Sequence, residues 1–589
     1  MYNQKYAIYQ VFTRLFGNKN TQHVPWGTIE QNGVGKFSDF TDKALSEIRK
    51  LGMTHIWYTG VPHHALINDY KHLGISDDHP SVVKGRAGSP YAVKDYYSVN
   101  PDLADNPECR LEEFEALIKR SHDNGLKVII DIVPNHVARH YKGLNNPEGV
   151  SDFGAQDDTT LEYHKDNNFY YIPNSTFELP DIEPAFTPLG GEQHPNLNSP
   201  FIETPAKWTG NGSRLAKPSF DDWYETVKIN YGMRPDGSKD FPELPSDYAQ
   251  RNYMDHFRFW ESVYVPNSWA KFRDIALFWL NKGVDGFRYD MAEMVPVEFW
   301  SYLNSSIKMK NQDAFLMAEV YQPDLYRDYI HLGKMDYLYD KVDLYDGLKA
   351  IMQGKASTAI IPEIQHQMHD IEHHMLHFLD NHDEQRIASP EFVGNPHIAK
   401  PAMLVSALLS SSPTMIYFGQ EVGEPGAENV GFGQPSRTSI FDYIGVPQHQ
   451  KWMNNGAFDG ELLNNNEKQL RHFYQKVMNF SLEHSSMTGD YQDLHQCCNL
   501  SDSVYAFLRS DHQELTIVAA NFSQHTTENI HLKIPSDVIQ KLKLVDGRYI
   551  LNEYIEGVHQ QVFTVENSIG NFNIELKPLA SLVWVLKTE

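Results

Sequence analysis

Acidic side chains follow three short apolar runs that lie far apart in the chain. Asp290 stands two residues after Arg288, Glu319 follows a second run, and Asp383 follows His382 after a third. Carboxyl groups that meet without a catalytic cysteine or a redox cofactor suit acid/base catalysis and nucleophilic attack at an acetal carbon. The sequence therefore predicts a site in which one carboxylate stays ionised while another holds a proton.

The surroundings of each acid predict its role. On an extended strand, Arg288 and Asp290 leave the same face, so we expect the guanidinium to keep Asp290 charged as a nucleophile. We expect desolvation after an apolar run to raise the pKa of Glu319, which suits a proton donor and acceptor. Asp383 would stabilise an oxocarbenium-like transition state. An Arg–Asp pair taken alone is more often structural than catalytic. Unrelated structural pairs, however, do not explain why acids follow all three of these apolar runs.

Eight apolar, β-branched or aromatic runs are suited to position these acids, and most are followed by an amphipathic helical stretch. This alternation predicts an α/β protein with a closed (β/α)8 TIM barrel, whose active site lies at the carboxyl ends of the strands. The runs span residues 6–12, 54–60, 127–134, 284–290, 314–320, 335–340, 375–380 and 414–419. Outer helices are predicted over residues 40–52, 111–125 and 268–283.

Two changes of pattern predict two further domains. A long segment rich in Pro, Gly, Asn and Asp after the third strand predicts an inserted irregular domain over residues 137–262. Period-2 runs near the end predict a C-terminal antiparallel β-sandwich over residues 489–589. The barrel then takes residues 1–136 and 263–488.

The composition excludes several function classes. The chain has 51 Lys+Arg against 77 Asp+Glu, a net charge of −26, which disfavours nucleic acid and anionic lipid as partners. No stretch approaches the roughly 18 apolar residues of a membrane span, and the first ten residues do not resemble a signal peptide. We therefore expect a soluble monomer or weak oligomer.

Cysteine usage predicts the compartment. Only three cysteines are present, Cys109, Cys497 and Cys498, which give neither a disulfide framework nor a CxxC metal pair. This favours a reducing compartment such as the cytoplasm, unless a signal peptide was removed, in which case the protein would be periplasmic or secreted.

Four segments together resemble the short sequence regions of the alpha-amylase superfamily, glycoside hydrolase family 13. They are DIVPNHV (131–137), GFRYDMAEM (286–294), FLMAEVY (315–321) and FLDNHDEQR (378–386). Further similar segments are SPYAVKDYYSVNPDL (89–103), LPDI (179–182) and SPTMIYFGQE (412–421). The resemblance implies a barrel, an inserted domain and a C-terminal sandwich, with Asp290 as nucleophile, Glu319 as acid/base and Asp383 as transition-state stabiliser.

The resemblance also implies residues that bind the substrate. Tyr91 would stack on the sugar at the cleavage point, although an aromatic after a strand is by default packing. His136, Arg288 and His382 would contact its hydroxyls or orient the acids. Arg386 is a further candidate for the same pocket.

Many relatives bind a structural calcium ion between the barrel and the inserted domain. Asn135 and Asp181 occupy the matching positions, and Met294 would contribute its backbone carbonyl. Oxygen ligands of this kind suit calcium. No organic cofactor is expected. Glu293 departs from the basic residue that many family amylases carry, which leaves contacts beyond the cleavage point open.

We therefore expect a retaining glycoside hydrolase that cleaves α-1,4-glucosidic bonds in starch-like α-glucans or maltooligosaccharides by double displacement. Retention predicts that the carboxyls of Asp290 and Glu319 lie about 5 to 5.5 Å apart. LPDI favours α-1,4 over α-1,6 linkages. A glucanotransferase or an α-1,6-acting relative on the same scaffold remains an alternative. A non-catalytic carbohydrate-binding relative would have lost an acid, whereas all three are present.

Overall fold

A computed structural model describes residues 4–557 and 559–588 of the chain. Its centre is a closed barrel of eight parallel strands, in which each strand pairs with the next and the eighth pairs with the first through Thr414 and Ala7. The strands are β1 Ala7–Phe12, β2 His55–Thr59, β3 Lys127–Ile132, β4 Gly286–Tyr289, β5 Phe315–Ala318, β6 Tyr337–Tyr339, β7 Met375–Phe378 and β8 Thr414–Tyr417. The predicted barrel is confirmed, and each strand lies within its predicted run.

Helices cover the barrel, so its strands are buried on both faces apart from Lys127 at the start of β3, and their residues are mostly apolar. In the helix Asn267–Asn281, buried Trp269, Phe272, Ile275 and Trp279 recur at the three-to-four spacing of one helix face. Among the described residues, no helix is both long and apolar enough to cross a membrane. The helices are α1 Thr13–Phe16, α2 Ile29–Asn32, α3 Asp42–Lys50, α4 Arg110–Asp123, α5 Tyr253–Glu261, α6 Asn267–Asn281, α7 Val297–Lys310, α8 Tyr326–His331, α9 Asp346–Met352, α10 Ile360–Met368, α11 Lys400–Leu408, α12 Pro447–Met453, α13 Asn465–Glu483 and α14 Ser536–Lys541.

The segment after β3 is irregular and leaves the barrel as a short strand. His136–Ala138 pairs antiparallel with Thr226–Lys228, and Tyr171–Ile172 pairs with Ala206–Lys207. A further ladder joins Pro62–His64 to Val93–Val99 beside β2. Most of the inserted segment is therefore held by loop contacts and two short ladders rather than by an extended sheet.

The C-terminal part is antiparallel throughout, as predicted. Its eight strands form one hydrogen-bonded sheet in the order β9-β10-β11-β16-β13-β14-β15-β12. Strands that are far apart in this order pack their side chains into one core, where the ring centres of Phe572 and Trp584 lie 5.1 Å apart. The two predicted layers of the sandwich are therefore parts of one folded sheet. The strands are β9 Asp490–Asp493, β10 Val504–Ser510, β11 Glu514–Asn521, β12 Glu528–Ile534, β13 Gly547–Glu553, β14 Gln560–Glu566, β15 Ile569–Leu576 and β16 Ser581–Lys587.

The domain limits stay a prediction. The predicted barrel and C-terminal domains also include residues 1–3, 558 and 589, which lie outside the described part of the chain.

Candidate active site

Strand register brings the predicted site residues together at the carboxyl end of the barrel. Arg288 on β4 pairs with Asp131 on the neighbouring β3, and Tyr289 pairs with Ala318 on β5. Asp290 and Glu319 each come directly after that last pair. Because parallel strands end at the same edge, the two carboxyl groups enter one site.

One buried guanidinium joins these acids. Arg288 has no solvent exposure, and its two terminal nitrogens lie 2.7 Å from Asp290 Oδ1 and 2.8 Å from Glu319 Oε2. Asp131 lies 3.4 Å from the same group and also accepts a hydrogen bond from the indole of Trp57 at 2.9 Å. A planar fork of donors suits two carboxylates at once, so Arg288 fixes their relative position.

The backbone after the nucleophile candidate also contacts the acid/base candidate. Met291 has a φ of 45°, a left-handed conformation that is strained for a side chain of this size. Its N–H donates to Glu319 Oε2 at 2.9 Å. The turn that ends β4 therefore supplies Glu319 with a second donor to the same oxygen.

Asp383 follows β7 and is held by a histidine. His382 Nε2 lies 3.0 Å from Asp383 Oδ2 and also contacts the hydroxyl of Tyr91, whose ring stacks on it at 5.3 Å. Gln10 on β1 donates to His382 Nδ1 at 2.8 Å. Since Nδ1 accepts, a ring proton lies on Nε2, directed at Asp383 and Tyr91.

Electrostatics separate the acids in a way that the sequence did not predict. Burial raises the pKa of Asp290 well above 3.8, and Arg288 only partly opposes the effect, which the charges of Glu319 and Asp383 reinforce. Burial therefore opposes the expected effect of Arg288 on the charge of Asp290, and the ionisation of Asp290 stays a prediction. Burial also acts on Asp383, but His382 and Arg288 outweigh it and hold its pKa below 3.8.

The acids line a cavity of about 200 Å³ that is open to solvent. Tyr91 and His136 lie in its wall as predicted, and burial lowers the pKa of His136 to about 3, so its ring is neutral. The sequence reasoning missed the other wall residues because they come from loops and from the short strand Thr226–Lys228, which show no spacing pattern. They are Lys84, Ser89, Trp223, Glu225, Thr226, Ile440 and Phe441. Gln10 was also missed, although a polar residue inside a wholly buried strand could have indicated it.

The structure does not bring Arg386 to this cavity. Its side chain is fully buried, donates to Thr438 Oγ1 at 2.9 Å and Phe418 O at 3.0 Å, and lies 3.4 Å from Asp380. Its guanidinium also stacks 4.0 Å from the ring centre of Tyr417. Arg386 therefore anchors the segment after Asp383 and is corrected from a substrate-binding to a positioning residue.

The predicted calcium ligands do not form one set. Buried Asn135 donates to Gly210 O at 2.8 Å, and its carbonyl oxygen accepts from the ammonium of Lys228. The side chain of Asp181 is 95% exposed and pairs with Lys217 at 2.8 Å. Met294 ends a short turn, Ala292–Met294. Within residues 4–557 and 559–588, no group of three or more His, Cys, Asp or Glu side chains is arranged to hold a metal ion. The residues present do not fit the implied ion, and calcium stays an untested prediction.

A family model described as the alpha amylase catalytic domain matches residues 10–210 and 259–484, more than half of the chain. The chain belongs to the alpha-amylase family. It is accordingly a glycoside hydrolase, and a second model, the alpha amylase C-terminal all-beta domain, matches residues 495–587.

Individual relatives of this alpha-amylase family member are distant. An alpha-amylase of Streptomyces lividans is 24% identical over 416 residues, which are 67% of this chain and 40% of that protein. A cyclomaltodextrinase of a Bacillus species is 20% identical over 543 residues, 87% of this chain and 72% of that protein. The solved maltogenic alpha-amylase AmyB of Thermotoga neapolitana has a TM-score of 0.58 and 16% identity, with 99% of both chains covered. This last similarity shows the shared fold.

Proposed function

We propose that this protein hydrolyses α-1,4-glucosidic bonds in α-glucans or maltooligosaccharides with retention of configuration. One observation carries the proposal: Arg288 contacts Asp290 and Glu319 at once beneath an open cavity. Because both contacts use one guanidinium, they support the short carboxyl separation of retaining enzymes. The family assignment and the presence of all three acids support hydrolysis over simple carbohydrate binding.

The first half of the reaction forms a covalent intermediate. Ionised Asp290 attacks the anomeric carbon while Glu319 gives its proton to the departing glycosidic oxygen, so one C–O bond forms as another breaks. Burial raises the pKa of Asp290, and its carboxyl group shares one guanidinium with that of Glu319. Since the attack needs ionised Asp290, the complex that reacts is the one in which Asp290 has lost its proton.

The second half releases the sugar. Glu319 takes a proton from a water molecule, which attacks the anomeric carbon and frees Asp290. Asp383, ionised at neutral pH, lies where sugar hydroxyls and the developing positive charge of the ring would need it. Tyr91 presents a ring to the apolar face of the sugar, and His382 fixes the positions of Tyr91 and Asp383.

Two variants and two substrates test these roles. Glu319→Gln should lose about 10²- to 10⁴-fold in kcat on a maltooligosaccharide, because the departing glycosidic oxygen of that substrate needs a proton. The same variant should lose much less in kcat/KM on an aryl glucoside whose leaving group needs no proton, because kcat/KM covers only the bond-breaking half of the reaction. Asp290→Asn should lose activity on both, since attack is required in each case. If both variants degrade starch normally, the mechanism is wrong.

Product analysis tests stereochemistry, linkage and acceptor. NMR of the first products should show the α-anomer before mutarotation, whereas the β-anomer would exclude retention. Maltoheptaose should yield new reducing ends, and redistribution of chain lengths without them would make the protein a glucanotransferase. Cleavage of a panosyl α-1,6 bond at a comparable rate would support the α-1,6 alternative.

The remaining parts of the proposal concern the cellular context. We propose a monomer or weak oligomer in a reducing compartment, on the basis of composition and cysteine usage alone. Size-exclusion chromatography and fractionation of the source cells test the two statements separately.

A further inference from the structure

Two adjacent cysteines, Cys497 and Cys498, form a thiol pair that the proposed reaction does not use. They lie in the segment between β9 and β10, where Cys498 N donates to Leu494 O at 3.1 Å and Leu500 N donates to His495 O at 3.1 Å. The two Sγ atoms face each other at a distance of 3.6 Å. Cys497 is exposed and Cys498 is half-buried, so a ligand can reach the pair.

The backbone of a neighbouring strand fixes one of the two sulfur atoms. Lys533 N–H on β12 donates to Cys498 Sγ at 3.2 Å. Because β12 is the last strand in the sheet order, its outer edge is free to make this contact. Cys498 also packs against the core of the C-terminal domain. The thiol pair is therefore preorganised, which lowers the entropic cost of binding a ligand to both sulfurs.

The distance between the sulfur atoms suits a ligand atom that both of them bind. Thiolates lie about 2.3 Å from a soft ion such as zinc, so a bond angle of about 90° to 110° at the bound atom places two sulfurs about 3.3 to 3.8 Å apart. The observed 3.6 Å lies within this range. A disulfide requires a shorter distance of about 2.05 Å. Linear coordination at the same bond length requires a longer one of about 4.6 Å. The geometry therefore indicates a bent chelate of two sulfurs.

The number of available side chains selects the chemical class of the bound atom. A structural zinc ion takes four ligands. Among the described residues, no group of three or more His, Cys, Asp or Glu side chains is arranged to hold a metal ion. A trivalent arsenical with one organic substituent, R–As(OH)2, is pyramidal and has only two hydroxyl groups to exchange. Two thiols therefore complete its coordination without a third protein ligand.

We propose that Cys497 and Cys498 together form a binding site for trivalent arsenicals that carry one organic substituent. Each thiol proton leaves with one arsenic hydroxyl as water, so two As–S bonds form as two As–O bonds break. Arsenic stays trivalent, and the step needs neither an oxidant nor a reductant. The site does not depend on the proposed function, because no residue of the catalytic cavity takes part.

The protonation of the pair separates this reaction from disulfide exchange. Partial burial and the adjacent thiol of Cys498 raise the pKa of Cys497 to about 12. Cys497 therefore carries its proton at neutral pH, and a protonated thiol is a weak nucleophile towards disulfides. The condensation with an arsenic hydroxyl consumes that proton as water. We therefore expect the pair to bind an arsenical at neutral pH while it reacts slowly with oxidised glutathione.

Binding of phenylarsine oxide to the full chain, measured by intact-mass spectrometry at neutral pH, tests the proposal. One phenylarsenic group should bind to each chain. Cys497→Ser should bind it at least about 10²-fold more weakly, because the second sulfur no longer acts as an intramolecular ligand. Cys109→Ser is the matched control, since Cys109 is also exposed but has no adjacent cysteine in the sequence. It should bind as tightly as the unchanged protein.

Cys498→Ser gives a second perturbation from the other side of the chelate and should show the same loss. Because Cys497 is exposed, Cys497→Ser should keep the Tm of the unchanged protein, which shows that its loss of binding does not come from unfolding. The small dithiol dimercaptopropanol should remove the arsenic from the unchanged protein, whereas glutathione at the same thiol concentration should not. Undiminished binding in Cys497→Ser, or loss of the arsenic group in Cys109→Ser, overturns the inference.

Discussion

Replacing Arg288 with Met tests the electrostatic core of the site. Arg288 is fully buried and contacts three carboxyl groups, of Asp131, Asp290 and Glu319, so its removal leaves them with no cation in hydrogen-bonding range among the described residues. Breaking a buried ion pair by removing one partner typically lowers stability by about 3–5 kcal/mol. We expect a loss in this range at pH 8, together with loss of activity on maltooligosaccharides.

The loss of stability in Arg288→Met should depend on pH, and the pKa shifts determine whether it grows or shrinks as pH rises. Burial already raises the pKa of Asp131 and Asp290, and Arg288 is the largest effect opposing it. Without Arg288 the folded-state pKa of both groups rises further. Stability from a group with a raised folded pKa is present at low pH and is lost as pH rises through that pKa. Arg288→Met should therefore be much less destabilised at pH 5 than at pH 8.

Urea unfolding of both proteins at pH 5 and pH 8, followed by tryptophan fluorescence, measures this difference. The comparison between the two pH values is the internal control, because the loss of packing contacts and of hydrogen bonds to uncharged groups should change little with pH. If Arg288→Met loses the same amount of stability at both pH values, the electrostatic reasoning is refuted.

Three further predictions concern protonation and metal dependence. The acid limb of kcat/KM should lie above pH 3.8, because burial raises the pKa of Asp290 and protonation blocks its attack; a limb below 3.8 contradicts this. Asp340→Asn should stabilise the protein at pH 8 by at most about 4 kcal/mol but should not do so at pH 4. Burial raises the pKa of Asp340 to about 7, so the stability that protonated Asp340 contributes is lost as pH rises through that value. Urea unfolding of both proteins at the two pH values tests this prediction. Dialysis against EDTA should leave activity and Tm unchanged, because the ammonium of Lys228 already contacts Asn135, the residue predicted to bind calcium. A loss of activity that only Ca²⁺ restores would support the calcium prediction.

The barrel was predictable because its cause is local. Each strand is a short apolar run, and the alternation with helices leaves few topologies open. Once strands are parallel and in sequence, polar residues at their carboxyl ends must meet, which is why Asp290, Glu319 and Asp383 were found together with Arg288 and His382. The sequence pattern therefore predicted which strand ends supply this part of the site.

Residues from loops and the inserted segment were not predictable in the same way. Glu225 and Phe441 reach the cavity through irregular backbone, which no periodicity describes. Arg386 follows Asp383 by three residues, yet its side chain is buried in the core and donates to Thr438. Position in the chain therefore located the strand ends but not the directions of side chains beyond them.

The pKa of Asp290 shows why charge could not be predicted from spacing either. Two residues of separation correctly place Arg288 against Asp290, but the same geometry also places Glu319 on that guanidinium. One positive charge divided between two carboxylates, with a third at 3.4 Å, does not offset the burial of them all. The contact that positions Asp290 therefore does not by itself set the charge of its carboxyl group, which depends as well on burial and on the neighbouring carboxylates.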